Sequence, residues 1–270
     1  SLGRLEAHAA SDCDLLVAGE GPLGTDIRAH IDATVAAEGL RAAKADGIYT
    51  ETLRRTELLD PARRGSLAEP AGDFGRRMAL LLDAAAISND PVFRRWQRDV
   101  LEWYTAAPDE ATWQLLIDDL GRYRHAYRCW QRFDTGQPAW ALRQVKLRGS
   151  RTIGFAGLLL LVVQAAARED DALDWIAEEL GRTPLERVTD AMRRCDIDAG
   201  NLLEAYAAVH GTLCDPTARQ VLAGDPGTSH AAGLLLAIRD HGQTIRGELL
   251  RVFNALTASA GSKAAMDVLF

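Results

Sequence analysis

The sequence predicts an α+β protein in which a small mixed-sheet domain, residues 1–90, precedes a larger all-helical domain, residues 91–270. Two observations lead to that division. Short apolar runs broken by Gly, Pro and Asp fill the first ninety residues, whereas apolar stripes at helical spacing fill the remainder. A fixed-period repeat is absent, which argues against a solenoid. With 270 residues and 47% hydrophobic content the chain can bury a substantial core.

Leu15-Leu16-Val17, entered from Ser11-Asp12-Cys13-Asp14 and ended by Gly19-Glu20-Gly21-Pro22, has the length and punctuation of a buried strand. Thr25 or Asp26 then caps a helix whose Ile27, Ile31 and Val35 recur every fourth residue, and Gly39 stops it. A second strand is expected around Gly47-Ile48-Tyr49-Thr50, and the stretch from Asp60 to Gly75, rich in Gly, Pro and charge, is expected to be an exposed loop. Met78-Ala79-Leu80-Leu81-Leu82 has a helix-friendly composition, but its shortness, with Asp83 closing it, favours a central strand.

From Pro91 onward Val92, Phe93, Trp96, Val100, Leu101 and Tyr104 share one helical stripe, with Pro91 in the first turn. Similar patterns predict helices at 110–134, 139–167, 169–180, 184–194, 198–214 and 228–258. Thr183-Pro184-Leu185-Glu186 reads as a capped helix start. The uncharged run Ile153–Ala167 holds about fifteen residues, short of the roughly 20 that span a bilayer, and is expected to be a buried helix with no membrane role. Trp96, Trp103, Trp113, Trp130 and Trp140 are expected to anchor helix packing.

A net charge of −7 and a pI near 5.4 argue against a generic nucleic-acid coat and leave room only for local basic clusters. Four dispersed cysteines without a CxxC pair indicate neither a zinc ribbon nor a disulfide scaffold, so a reducing cytoplasm is the expected location. The sequence lacks a secretory signal, and because it starts at Ser1 without Met, residues upstream of it are expected to be missing. His210 and Cys214, four residues apart on a predicted helix, supply two metal-ligating side chains, too few for a site, and are assigned to packing. A Walker loop, a nucleophile elbow and a dinucleotide fingerprint are all absent from the sequence.

Two aspartates separated by one residue on a strand face the same way, because side chains alternate with period two. Asp12 and Asp14 are therefore expected to converge on one divalent cation, magnesium or manganese, which takes one or two carboxylates and completes its shell with water and phosphate oxygens. Upstream of them Ser1-Leu2-Gly3-Arg4 supplies a small loop whose hydroxyl and backbone N–H groups suit phosphate.

In these residues the chain resembles the DNA polymerase β-like nucleotidyltransferase superfamily, whose signature is Gly-Ser, a spacer of about ten residues, then Asp-x-Asp ahead of an apolar strand. The resemblance implies that Ser1 is the signature serine, its glycine lying upstream. It also implies a third carboxylate on a neighbouring strand, for which Asp83 is the first choice and Asp46 the second, with Asp73 and Glu51 behind them.

Trp140 through Arg151 packs Arg143, Lys146, Arg148 and Arg151 into a short segment. On one continuous helix Arg143, Lys146 and Arg151 fall within roughly 140° of arc, and Arg122, His125, Arg128 and Arg132 within about 120°. The first group suits a triphosphate tail. Asp118 through Tyr123, with Trp140–Arg151, also resembles the helical half of bacterial nucleotidyltransferase-like proteins, related in layout to the regulatory uridylyl- and adenylyltransferases of nitrogen metabolism.

Taken together, the expectation is a cytoplasmic, ATP- or other nucleotide-binding transferase that moves a nucleoside monophosphate from a nucleoside triphosphate to an acceptor hydroxyl. The acceptor can be a protein, an RNA end or a small molecule. Asp12, Asp14 and Asp83 are the expected catalytic and metal residues; Ser1, Arg143, Lys146 and Arg151 are the expected phosphate contacts. The alternatives are an inactive nucleotide-sensing or protein-binding module on the same fold, and a purely helical scaffold.

Overall fold

The computed structural model describes residues 6, 11–19, 25–42, 48–49, 52–106, 113–133, 139–168, 170–224 and 227–269. In chain order the elements are β1 (Asp12–Cys13), β2 (Ala18–Gly19), α1 (Thr25–Ala37), β3 (Arg41–Ala42), β4 (Leu53–Arg54), α2 (Arg55–Leu58), α3 (Ala71–Leu82), α4 (Asp90–Thr105), α5 (Gln114–Phe133) and α6 (Trp140–Arg148). They continue with α7 (Ser150–Ala166), α8 (Ala172–Glu179), α9 (Pro184–Arg194), α10 (Gly200–Cys214), α11 (Pro216–Ala223) and α12 (Ser229–Leu269). The protein is thus mostly helical, with a small amount of parallel sheet. Two compact units emerge: unit 1 comprises Ser1–Leu116 and Asp171–Thr183, and unit 2 comprises Ile117–Asp170 and Pro184–Phe270. The change expected near residue 90 falls inside unit 1, between α3 and α4.

In unit 1, β1 pairs with β3 and β2 with β4, both parallel. The strand expected at Leu15–Val17 is instead the link between β1 and β2, and Val17 accepts a backbone hydrogen bond from Leu53 at 2.8 Å. Ile48 and Tyr49 lie in a turn rather than in the expected second strand, while Gly47 and Thr50 lie outside the described residues. The helix read from Thr25 is α1; Val35 is buried, and Gly39 follows at φ +67, a left-handed conformation that glycine adopts without steric cost.

Met78–Leu82, expected as a strand, is the second half of α3. The reason is burial on every side. All residues from Asp73 to Leu82 are buried, and a helix enclosed all round shows a continuous apolar run much like that of a central strand. Upstream, Arg76 and Arg77 interrupt the apolar pattern yet are themselves buried. The expected exposed loop holds up to Pro70, where Pro61, Ala62, Gly65, Leu67, Ala68 and Pro70 are exposed and Asp60 accepts from the Ala62 N–H at 2.9 Å to cap a 3-10 turn, but Glu69 is buried, and from Ala71 the chain is α3, with Asp73, Phe74 and Gly75 buried.

α2 packs on α3, α3 on α4, and α4 on α8. Trp96, Trp103 and Trp113 are buried as expected, and Trp103 Nε1 donates to the Asp60 carbonyl at 3.3 Å.

Unit 2 is built around α7, which packs on α9, on α6 and on α12, while α10 packs on α12 and α6. Ile153, Leu160, Val163, Val188, Met192, Val209, Ile245 and Val252 belong to its core. The single helix predicted for 139–167 is broken at Gly149 into α6 and α7. A Cβ at Gly149 would lie 2.5 Å from Val209 Cγ1, so the junction needs glycine to sit against α10. By length and composition Trp140–Ala166 could cross a membrane, but 67% of its most apolar window is buried within the protein. A helix not anticipated, α11, begins with Asp215 accepting from Thr217 N and Ala218 N and with Pro216 in its first turn.

Gly157 marks the closest approach of α7 to α9. A Cβ there would meet the Pro184 carbonyl oxygen at 2.9 Å and its Cα at 3.1 Å, both backbone atoms. Gly157→Ala is therefore expected to destabilise the protein by about 1–3 kcal/mol, the usual cost of overpacking. Gly211→Ala, on exposed α10 surface with nothing within 4 Å of the added methyl, is expected to stabilise by up to about 1 kcal/mol through helix propensity. Urea melts of both variants measure the contrast, which disappears if α7 can move away from α9 without cost.

Candidate functional site

The carboxylate pair stands where β1 gives way to the link leading to β2. Register places Asp12 opposite Arg41 and Cys13 opposite Ala42. Cys13 is 6% exposed while Asp14, the next residue, is exposed, so the chain alternates inward and outward here. Burial, and then the neighbouring Asp14 charge, push the Cys13 thiol above its usual pKa, which keeps it protonated and inert. The Asp12 side chain, Ser1, Asp46 and Glu51 lie outside the described residues.

Asp83 does not stand at the end of a strand. It is the C-terminal cap residue of α3, half-buried, its N–H bonded to the Ala79 carbonyl at 3.3 Å. A helix C-terminus carries partial negative charge, which favours cations, so it is the position of Asp83 on a helix rather than beside a strand that departs from the expectation. Asp73, a lesser choice for the third carboxylate, is buried and engaged by Arg63 and by Arg76 Nη2, the latter at 2.6 Å. Among the described residues no group of three His, Cys, Asp or Glu side chains is placed to hold a metal ion.

Sequence reasoning missed the buried ion pair of unit 1. Arg77 Nη1 and Nη2 donate to Glu69 Oε1 and Oε2 at 2.6 and 2.5 Å, a two-pronged arrangement. Arg77 Nε donates to the Tyr104 hydroxyl at 3.0 Å, and the guanidinium lies 4.4 Å from the Trp103 ring centroid. Burial alone would lower the Arg77 pKa, but hydrogen bonds to Glu69 and Tyr104 hold it above its ordinary value. The signal was present as Glu69 and Asp73 preceding Arg76-Arg77, hidden by the assumption that a charged, Gly- and Pro-bearing stretch is solvated.

The predicted phosphate cations belong to unit 2. Arg143 and Lys146 are on α6, half-buried, whereas Arg151 is in the first turn of α7. The break at Gly149 overturns the assumption of one continuous helix on which the shared arc of these three residues rested. Arg151 instead lies over the Tyr127 ring at 4.3 Å, and Arg124 over Phe155 at 4.8 Å, so aromatic faces orient both guanidinium groups. Of the second predicted cluster on α5, Arg122 faces the buried Asp119 at 3.6 Å, and His125 Nε2 lies 3.3 Å from the Cys129 sulfur. His210 Nδ1 likewise lies 3.5 Å from the Cys214 sulfur, a pairing along α10. Comparison of the chain with protein-family models, with curated proteins and with solved structures finds no match to any of them.

Proposed function

We propose that the chain is a metal-dependent nucleotidyltransferase whose reactive centre is the Asp12-Cys13-Asp14 segment of unit 1. The observation that carries the reading is the local alternation: a buried Cys13 anchors the segment while Asp14 is presented to solvent, and β1 is tied to β3 at Asp12–Arg41. Magnesium or manganese, held by the Asp12 and Asp14 carboxylates, would neutralise charge on the phosphates.

The proposed reaction is attack of an acceptor hydroxyl oxygen on the α-phosphorus of a nucleoside triphosphate. A new phosphorus–oxygen bond forms, the bond to the bridging oxygen breaks, pyrophosphate leaves, and the hydroxyl proton passes to a carboxylate base. With Asp83 at a helix end and Asp73 committed to two arginines, the third carboxylate of this reading is Asp46. Incubation of the protein with each α-labelled triphosphate, magnesium and cell extract tests the proposal. Label is expected in a discrete acceptor with release of unlabelled pyrophosphate; hydrolysis or binding without transfer rejects it.

The Asp83 position favours one second reading, a nucleotide sensor. Two carboxylates are enough to bind a metal nucleotide but leave no group to take the acceptor proton. Magnesium-dependent nucleotide binding without label transfer would select the sensor.

A further inference from the structure

Between Asp134 and Glu169 the chain contains no acidic residue, yet it carries Arg143, Lys146, Arg148, Arg151 and Arg168. Arg148, the last residue of α6, lays its aliphatic stem on α12: a methyl at Gly242 would fall 2.9 Å from its Cβ. Arg124 of α5 and Arg151 of α7 are crossed over each other's helices, the first on Phe155 and the second on Tyr127. Buried Nη1 atoms of both Arg148 and Arg151 have no hydrogen-bond partner among the described residues.

Arg246 of α12 is close enough to act on two of these groups. Burial first, then the charges of Arg128 and Arg246, lower the Arg124 pKa; burial first, then Arg246 and Arg239, lower that of Arg148. The buried, unpartnered Nη1 donors of Arg148 and Arg151, set among charges of the same sign, are costly in a folded protein and call for a physical explanation. A bound anion supplies one, since planar guanidinium groups match phosphate oxygens two at a time.

We propose that Arg124, Arg148, Arg151 and Arg246 form a site for adjacent phosphate groups, those of a polyphosphate or of a nucleotide's polyphosphate tail. Four cations from four helices, α5, α6, α7 and α12, suit a compact ligand bearing several charges better than a monovalent anion. The net charge of −7 disfavours a long polynucleotide, which would extend over acidic surface. The site lies wholly within unit 2 and does not rest on the carboxylate reading of unit 1.

Isothermal titration of the full chain with tripolyphosphate, without divalent metal, tests this. Saturable binding is expected, with orthophosphate at least about tenfold weaker and affinity falling as salt rises. Arg148→Gln and Arg246→Gln should each weaken tripolyphosphate about tenfold or more, the effect of one charge-assisted hydrogen bond. Arg246 is exposed, so its variant keeps the test sound if Arg148→Gln disturbs folding by circular dichroism. Arg193→Gln, at a side chain 74% exposed and paired with Asp190, should change nothing. Equal affinity for adenosine triphosphate and tripolyphosphate locates recognition in the phosphates; tighter nucleotide binding adds base contacts to the same site. The proposal is overturned by absence of saturable binding at millimolar tripolyphosphate, by equal losses in Arg193→Gln, or by a single-stranded RNA oligonucleotide binding a hundredfold more tightly.

Discussion

Asp14→Ala is expected to lower nucleotidyl transfer by about a thousandfold or more while leaving the fold intact, and Asp12→Ala to do the same. A ligated metal supplies several kcal/mol of charge stabilisation in phosphoryl chemistry, and each 1.36 kcal/mol is a factor of ten in rate. Asp14 is exposed, so its removal takes away little packing, and the thermal midpoint should stay close to that of the parent. Asp14→Asn keeps the shape but removes the charge, and its rate should fall nearly as far. Excess magnesium or manganese should restore part of the activity if the loss is one of metal affinity. Near-normal transfer by either alanine variant would remove the Asp12-Cys13-Asp14 segment from the chemistry altogether.

Helices were legible where one face is buried and the other wet. The stripe of Val92, Trp96, Val100 and Tyr104 marked α4, and Pro184 marked the start of α9, because capping chemistry and period 3.6 are local properties. α3 was misread for the opposite reason: its second half, Met78–Leu82, is buried all round and apolar at every position, and length alone decided in favour of a strand. Gly149 could not be recognised as a break from local sequence, because its cause is Val209, sixty residues away in the chain. A small sheet in the first part of the chain was legible, but its strand positions were not, because each strand is two residues long, too short for alternation to register.

Asp-x-Asp with an apolar residue following is a local pattern, so the expectation built on it needs no knowledge of packing. The expectation of Asp83 as a third carboxylate depends on which strand or helix runs alongside, and it rested on the misread α3. The cations of unit 2 were legible as a cluster but not in their grouping. Counting along one helix joined Arg143 and Lys146 to Arg151, whereas the break at Gly149 sets Arg151 on α7 against Tyr127 of α5. Charge content can be read residue by residue; the partners of a charge are set by tertiary packing.

Glu69→Ala is expected to cost about 3–5 kcal/mol of folding stability, the range for removing one partner of a buried ion pair. The Arg77 side chain is 0% exposed and that of Glu69 1%, so no water can take over the lost carboxylate. Arg77 would keep uncharged contacts that include Tyr104, at 3.0 Å, the Leu58 carbonyl at 3.4 Å, and the faces of Trp103 and Tyr104. Since whole domains are stable by roughly 5–15 kcal/mol, this single change is expected to bring unit 1 near its threshold. Glu69→Gln retains an acceptor but not the charge and should fall between the two. The double replacement Glu69→Leu with Arg77→Met removes both charges and fills similar volume. It is expected to recover most of the loss, because the penalty arises from the stranded guanidinium rather than from the absent pair. Chemical denaturation of the three variants measures the cycle. A loss below about 1 kcal/mol for Glu69→Ala would mean that Arg77 reaches solvent when its partner is removed, and that α3 is not held as tightly against α4 as its burial indicates.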